Sequence, residues 1–210
     1  MEKTALEETL YCDFSHPAIA ALAEKLAAGE TEPRKITAAI FQYVRDNVRF
    51  GCDLVQVKAS ATLAKGYGAC WNKALLLVAL LRSNRIPARL AYNQVKRDFM
   101  RPPLGEACDT LHETEKHCFA LVWLDDKWTA VDATLDAGVY QKFFTPQQVA
   151  WGIDWNGQED MRLYTENIVG PVEFFADIDA AIQQDVGYAM PAPADAAAFF
   201  APLNKRLWQD

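Results

Sequence analysis

The chain has 210 residues, 51% of them hydrophobic and 23% charged, which is long enough for a substantial core and too apolar for a disordered segment. No run of about 18 uncharged apolar residues occurs, so a membrane-spanning helix is not expected. Twenty-one Lys+Arg against 28 Asp+Glu give a net charge of -7, a field that repels phosphate backbones and anionic lipid and argues against nucleic acid or a membrane as partner.

The opening residues, Met1 to Glu8, lack the basic segment and apolar run of an export signal, and a cytoplasmic location is the expectation. Pro17 to Ala28 is rich in Ala and Leu and is followed by Gly29, which predicts a short helix ended by that glycine. Pro33 suits a first helical turn, and Ile36, Ile40, Tyr43, Val44 and Val48 recur at helical spacing behind it, predicting an amphipathic helix. Leu54 to Val57 is a candidate extended segment. Gly66 and Gly68 then break regular structure ahead of Cys70. From Ala74 to Leu81 every residue is apolar, the pattern of a helix buried on all sides.

Ile86 to Val95 reads as a strand entered through Pro87, and Lys96 to Lys116 as a long polar connection, a candidate lid. Two more strands are predicted at Lys116 to Leu124 and Lys127 to Ala133, joined by a two-residue turn at Asp125-Asp126. Pro146 opens a candidate short helix, and Asp177 to Gln184 and Asp195 to Trp208 read as helices separated by Met190 to Pro193. No repeat is evident. The order points to an α+β fold with a buried helix packed on an antiparallel sheet, in one domain over residues 1–210.

The five cysteines, Cys12, Cys52, Cys70, Cys108 and Cys118, are odd in number and form no CxxC pair, so a disulfide framework is not expected. Cys70 differs from the others by its place where a glycine-rich turn becomes a helix. Unpaired N–H groups and the helix dipole favour a thiolate there, which makes it a candidate nucleophile, the alternative being an inert core cysteine. A thiolate nucleophile needs a base and an orienter for that base. Of three histidines, His117 opens a predicted core strand, whereas His16 precedes Pro17 and His112 lies in the polar loop. Asp132 sits among apolar neighbours on the next strand, where a lone charge would be costly without a partner. The two-residue turn pairs Leu124 with Lys127 and puts His117 and Asp132 on one face as diagonal neighbours; a three-residue loop would separate them.

The pattern resembles the transglutaminase-like cysteine enzymes. The likeness runs through Ile36 to Phe50, Thr62 to Cys70, Ala74 to Arg82, Arg85 to Arg89, His117 to Trp123 and Trp128 to Thr134, about half the chain. It implies a papain-like α+β core of about residues 33–150 with a C-terminal extension over 151–210, and a triad of Cys70 as nucleophile, His117 as base then acid and Asp132 as orienter. Papain itself is rejected because His117 follows Cys70 by only 47 residues and the third member is Asp. Cys118 and Phe119 stand where family members often carry a small residue and a Trp.

The implied chemistry is acyl transfer through a thioester on a peptide or glutamine amide, with hydrolysis favoured over transamidation and no cofactor or metal required. Three rivals are an arylamine N-acetyltransferase, a zinc site built from Cys108, His112, His117 and Cys118, and a non-catalytic binding domain of the same fold. Trp123, Trp151 and Trp155 are candidates to line a cleft, although core packing explains tryptophan more simply. Gln56 or an aromatic side chain is a candidate second oxyanion donor.

Overall fold

The computed structural model describes residues 3–148, 152–184 and 194–209. Helix α1 (Pro17–Ala27) and helix α2 (Pro33–Asn47) both place a proline in the first turn, where a missing N–H costs nothing. The end of α1 differs from expectation, because Ala28, not Gly29, takes the left-handed capping conformation (φ 47°) and Gly29 follows it at φ 79°. Helix α2 turns Ile36, Ile40 and Val44 inward as predicted and Phe41 with them, while Tyr43 is only half-buried.

Strand β1 (Arg49–Phe50) pairs in parallel with β2 (Tyr67–Gly68). Between them lies a short helix that the sequence pattern does not announce, α3 (Ala59–Lys65), capped by Gly66 in the left-handed region. Leu54 to Val57 is irregular rather than extended. Helix α4 (Cys70–Ser83) then runs through the centre of the molecule with every residue from Trp71 to Arg82 buried. Its polar members are satisfied locally. Arg82, for example, donates to the Ala88 carbonyl through Nε (3.0 Å) and Nη2 (2.8 Å).

Strand β3 (Ala88–Lys96) starts two residues later than predicted, leaving Pro87 just outside it. The connection that follows is not structureless. It forms a 3-10 turn (Arg97–Met100), helix α5 (Arg101–Leu104) and a second 3-10 turn (Gly105–Thr110). Pro102 and Pro103 fall in the first turn of α5, where proline is tolerated, and Arg97 ties both ends together by donating to the carbonyls of Asp109 (3.2 Å) and Leu111 (2.9 Å).

Strands β4 (Thr114–Leu124) and β5 (Lys127–Val131) form the predicted hairpin, with Leu124 opposite Lys127 and Ala120 opposite Val131. Asp125 and Asp126 both have positive φ (47° and 61°), as a tight two-residue hairpin turn requires. Helices α6 (Ala137–Phe143), α7 (Ile178–Gln184) and α8 (Ala196–Trp208) and strand β6 (Glu173–Phe174) complete the chain, with a 3-10 turn (Thr145–Gln147) at Pro146. The sheet order is β5-β4-β3-β6, antiparallel throughout. The predicted α+β arrangement of a buried helix on an antiparallel sheet is therefore the observed one. The separator Met190 to Pro193 and Trp151 lie outside the described residues. Among the described residues no helix is long and apolar enough to cross a membrane.

One core cluster joins α1, α2, α4 and the inner face of the sheet, and Leu76, Leu77 and Leu80 at its centre have no exposed surface. Leu77→Ala is expected to lower unfolding free energy by about 2–5 kcal/mol, through lost transfer energy plus an unfilled cavity, as read by urea denaturation. A loss under about 1 kcal/mol would mean that α4 is not the packing centre.

Candidate active site

The turn into α4 is built by Asn72. Its Oδ1 accepts from the Ala69 N–H (2.9 Å) and its Nδ2 donates to the Leu54 carbonyl (2.8 Å), so the side chain stitches the helix start to the irregular segment beside it. Gly68 is required there. A Cβ at that position would lie 2.6 Å from Asn72 Cβ. Cys70 is thereby fixed as the first residue of α4, where backbone N–H groups have no partner within the helix.

His117, on β4, is buried, and its Nε2 lies 2.6 Å from Asp132 Oδ2. Asp132 is buried too, just past the end of β5, and it also accepts from the N–H groups of Thr134 (3.0 Å, Oδ1) and Leu163 (3.2 Å, Oδ2). The β4–β5 ladder ends at Ala120 and Val131, yet the same-face relation carried by its register holds across the next residues. Cys70 and His117 line the same cavity, and His117 and Cys118 are both near enough to Cys70 to lower its thiol pKa. With Nε2 committed to Asp132, Nδ1 is the ring nitrogen left for sulfur. Cys70, His117 and Asp132 are thus brought together.

The electrostatics follow from these contacts. Contact with the Cys118 thiol, with further help from the hydrogen bond and charge of His117, outweighs burial and holds the Cys70 thiol well below its ordinary pKa. Burial alone would push His117 down, but the Asp132 carboxylate and Cys70 raise it to about 10. Burial would likewise raise Asp132, and the charge and hydrogen bond of His117 keep it below the usual carboxylate range. The other cysteines contrast with Cys70, since burial pushes Cys12 and Cys52 up to about 12.

A cavity of about 350 Å³ opens beside Cys70 and His117. Phe99, Met100, Leu104 and Leu111 from the long connection form an apolar wall, facing Phe50, Val55 and Trp71. The segment read as a candidate lid therefore walls the cavity. Asp53, His112, Thr114 and Lys116 also line it, with His112 and Thr114 exposed and Asp53 buried. The Tyr164 ring meets the His117 ring edge-on at 4.9 Å and shields it from one side.

Several buttresses carry no local sequence signal. Asn204 of α8 accepts from the Cys52 N–H (2.7 Å) and donates to the Cys52 carbonyl (3.0 Å), while Trp208 Nε1 donates to the Phe50 carbonyl (2.9 Å). Arg206 Nε donates to the Pro103 carbonyl (2.8 Å). Helix α8 therefore braces two separate segments that line the cavity.

Other candidates fall elsewhere. Gln56 Nε2 donates to the Ile182 carbonyl (3.0 Å), outside the cavity lining. Trp123 packs edge-on against Trp128 and Trp155 against Phe41, and neither lines the cavity. The zinc arrangement does not assemble: the Cys108 thiol donates to the Arg97 carbonyl, His117 is bonded to Asp132, and among the described residues no group of three or more His, Cys, Asp or Glu is placed to hold a metal ion.

Residues 20–133, which contain Cys70, His117 and Asp132, match the sequence profile of the Transglutaminase-like superfamily. The chain belongs to this superfamily. Membership supports a cysteine-based enzyme. Similar solved structures include a protein assigned as a cysteine protease from Cytophaga hutchinsonii (25% identity, TM-score 0.47, covering 62% of this chain and 40% of that one). A protein assigned as a protease from Parabacteroides distasonis is also similar (14%, TM-score 0.42, 55% and 23%). A third is red sea bream transglutaminase (15%, TM-score 0.39, 62% and 27%). This transglutaminase-like chain thus matches less than half the length of each. No significant match is found among curated proteins.

Proposed function

We propose that this protein is a cysteine-dependent acyl-transfer enzyme acting on a peptide or glutamine amide, with Cys70 as nucleophile, His117 as base then acid and Asp132 as orienter, and with water as the favoured acceptor. The observation that carries the reading is the 2.6 Å contact of His117 Nε2 with Asp132, beside a cavity that His117 and Cys70 both line. Asp132 fixes the ring and stabilises its positive charge, and the imidazolium in turn stabilises the thiolate. The thiolate attacks the amide carbonyl, and the oxyanion meets the Cys70 backbone N–H at the start of α4. His117 gives its proton to the departing amine, leaving a thioester. It then takes a proton from the incoming water as that water attacks.

The apolar wall of Phe99, Met100, Leu104 and Leu111 suits an apolar stretch of substrate next to the reacting amide. His112 and Thr114 line the cavity and are exposed, which opens it to water and supports hydrolysis. The substrate is on this reading a peptide or protein, with neither nucleic acid nor a membrane involved, and the site of action is the cytoplasm.

The test incubates the protein with glutamine peptides flanked by apolar or polar residues, with and without a primary amine, using enzyme blocked by iodoacetamide as the blank. Ammonia release or backbone cleavage is expected. Amine incorporation as the main product would overturn the preference for water, and no product from any peptide would overturn the enzymatic reading. The pH dependence is a further check. Because Cys70 is lowered and His117 is raised to about 10, the ion pair spans neutral pH, and alkylation of Cys70 should be near its plateau at pH 7. A rate that climbs steadily through pH 9, as for an ordinary thiol, would contradict the pairing.

A further inference from the structure

Three buried polar side-chain atoms have no hydrogen-bond partner among the described residues: Asn93 Oδ1, Thr129 Oγ1 and the Tyr164 hydroxyl. Of these residues only Tyr164 lines the cavity. A buried hydroxyl without a partner has given up water for nothing and weakens the fold. The Tyr164 backbone adds strain, because it is left-handed (φ 59°, ψ 31°), a conformation that a bulky side chain rarely adopts. The chain before it is tied down at three points. Ala130 N–H donates to Asp160 Oδ1 (2.9 Å), Met161 N–H to the Ala130 carbonyl (2.8 Å) and Leu163 N–H to Asp132 Oδ2 (3.2 Å). Tyr164 then packs its ring against Phe99 (4.4 Å), His117 (4.9 Å) and Phe144 (6.1 Å). None of these three lies in α4, so Tyr164 stands on the imidazole side of the cavity, away from the helix start where the oxyanion forms.

We propose that the Tyr164 hydroxyl is a substrate-binding group, which donates a hydrogen bond to a peptide carbonyl next to the reacting amide. The inference rests on the peptide-substrate reading above and names the group in the cavity wall that a bound peptide meets. Burial and the charges of Asp132 and Cys70 hold the Tyr164 pKa well above its ordinary value, so the hydroxyl keeps its proton and is a donor at neutral pH. The ring is half-buried and its oxygen buried, and Phe99, packed on that ring from the 3-10 turn of the long connection, is the side chain that shifts as a peptide enters. The carbonyl supplies the partner that the fold withholds, in a wall screened from solvent, where a hydrogen bond is stronger than in water. Because this carbonyl does not react, it is held equally before and during attack, and its loss falls on binding and not on the maximal rate.

Tyr164→Phe removes the oxygen and keeps the ring. The test compares it with wild type in urea denaturation and in inactivation by a short apolar peptide ending in a chloromethyl ketone. That label alkylates Cys70 with loss of chloride and needs neither turnover nor an acyl acceptor; iodoacetamide is the control for the thiolate. The variant is expected to unfold at the same or a higher urea concentration and to react with iodoacetamide at the wild-type rate. Half-saturation by the peptide label should rise at least ~5-fold while its maximal inactivation rate stays within ~2-fold. A lower urea midpoint would show that the hydroxyl has its partner inside the fold. Unchanged half-saturation, or a loss confined to the maximal rate, would show that it does not hold a flanking carbonyl, and a slowed iodoacetamide reaction would assign it to the Cys70–His117 pair instead; each of these overturns the proposal. Wild-type protein that the peptide label inactivates without saturation and no faster than a chloromethyl ketone lacking the peptide would overturn the peptide-substrate reading itself.

Discussion

Cys70→Ala is expected to abolish product formation, and Asp132→Asn to lower it by on the order of 10³-fold while leaving the sulfur in place. The aspartate effect follows from the electrostatics of a fully buried pair. With the carboxylate replaced by an amide of the same shape, Cys70 alone is left against the burial that disfavours a charged ring, and His117 shifts toward the neutral form near neutral pH. The thiolate then loses its countercharge and is largely reprotonated. Alkylation of Cys70 at about pH 6.5 should therefore slow at least ~10-fold in Asp132→Asn, with the same variant still folded by circular dichroism. The backbone N–H groups of Thr134 and Leu163 also bond to this side chain, so unfolding by urea is measured alongside to separate lost charge from lost structure. Alkylation at the wild-type rate in a folded Asp132→Asn protein would show that Asp132 does not govern the sulfur, and the proposed triad would fall.

The parts of this site that could be read from sequence are those set by local rules. The two-residue turn at Asp125-Asp126 fixes a register that puts His117 and Asp132 on one face, where a one-residue slip would separate them. Helix α4 was legible because Ala74 to Leu81 is apolar on every side, and Cys70 because glycines precede it. The cavity wall between Arg97 and Thr110 was hidden because turns of four to six residues are too short to show a period. The grip of Asn204 on Cys52 joins residues far apart in the chain and depends on α8 docking as a whole.

Lys73 carries the second large effect. It lies one turn along α4 from Cys70 with no exposed surface, and its Nζ donates to the carbonyls of Val48 (2.5 Å) and Arg45 (3.4 Å). Burial drives its pKa down from 10.5 to about 7, against the pull of Asp136, Asp132 and Asp46 and with a push from Arg45. Between those two values the unfolded chain holds a proton that the folded protein lacks, so the Lys73 contribution to stability rises with pH across that window and is flat below it. Lys73→Met keeps the length of the apolar stem and removes the titration. The stability of wild type relative to Lys73→Met should therefore increase by about 2–3 kcal/mol from about pH 6.5 to about pH 9, measured by urea denaturation of both proteins in matched buffers. Loss of the two carbonyl contacts shifts the whole curve without changing its slope. A difference that stays constant over this range would mean that Lys73 keeps its proton in the folded state, held by the three carboxylates around it.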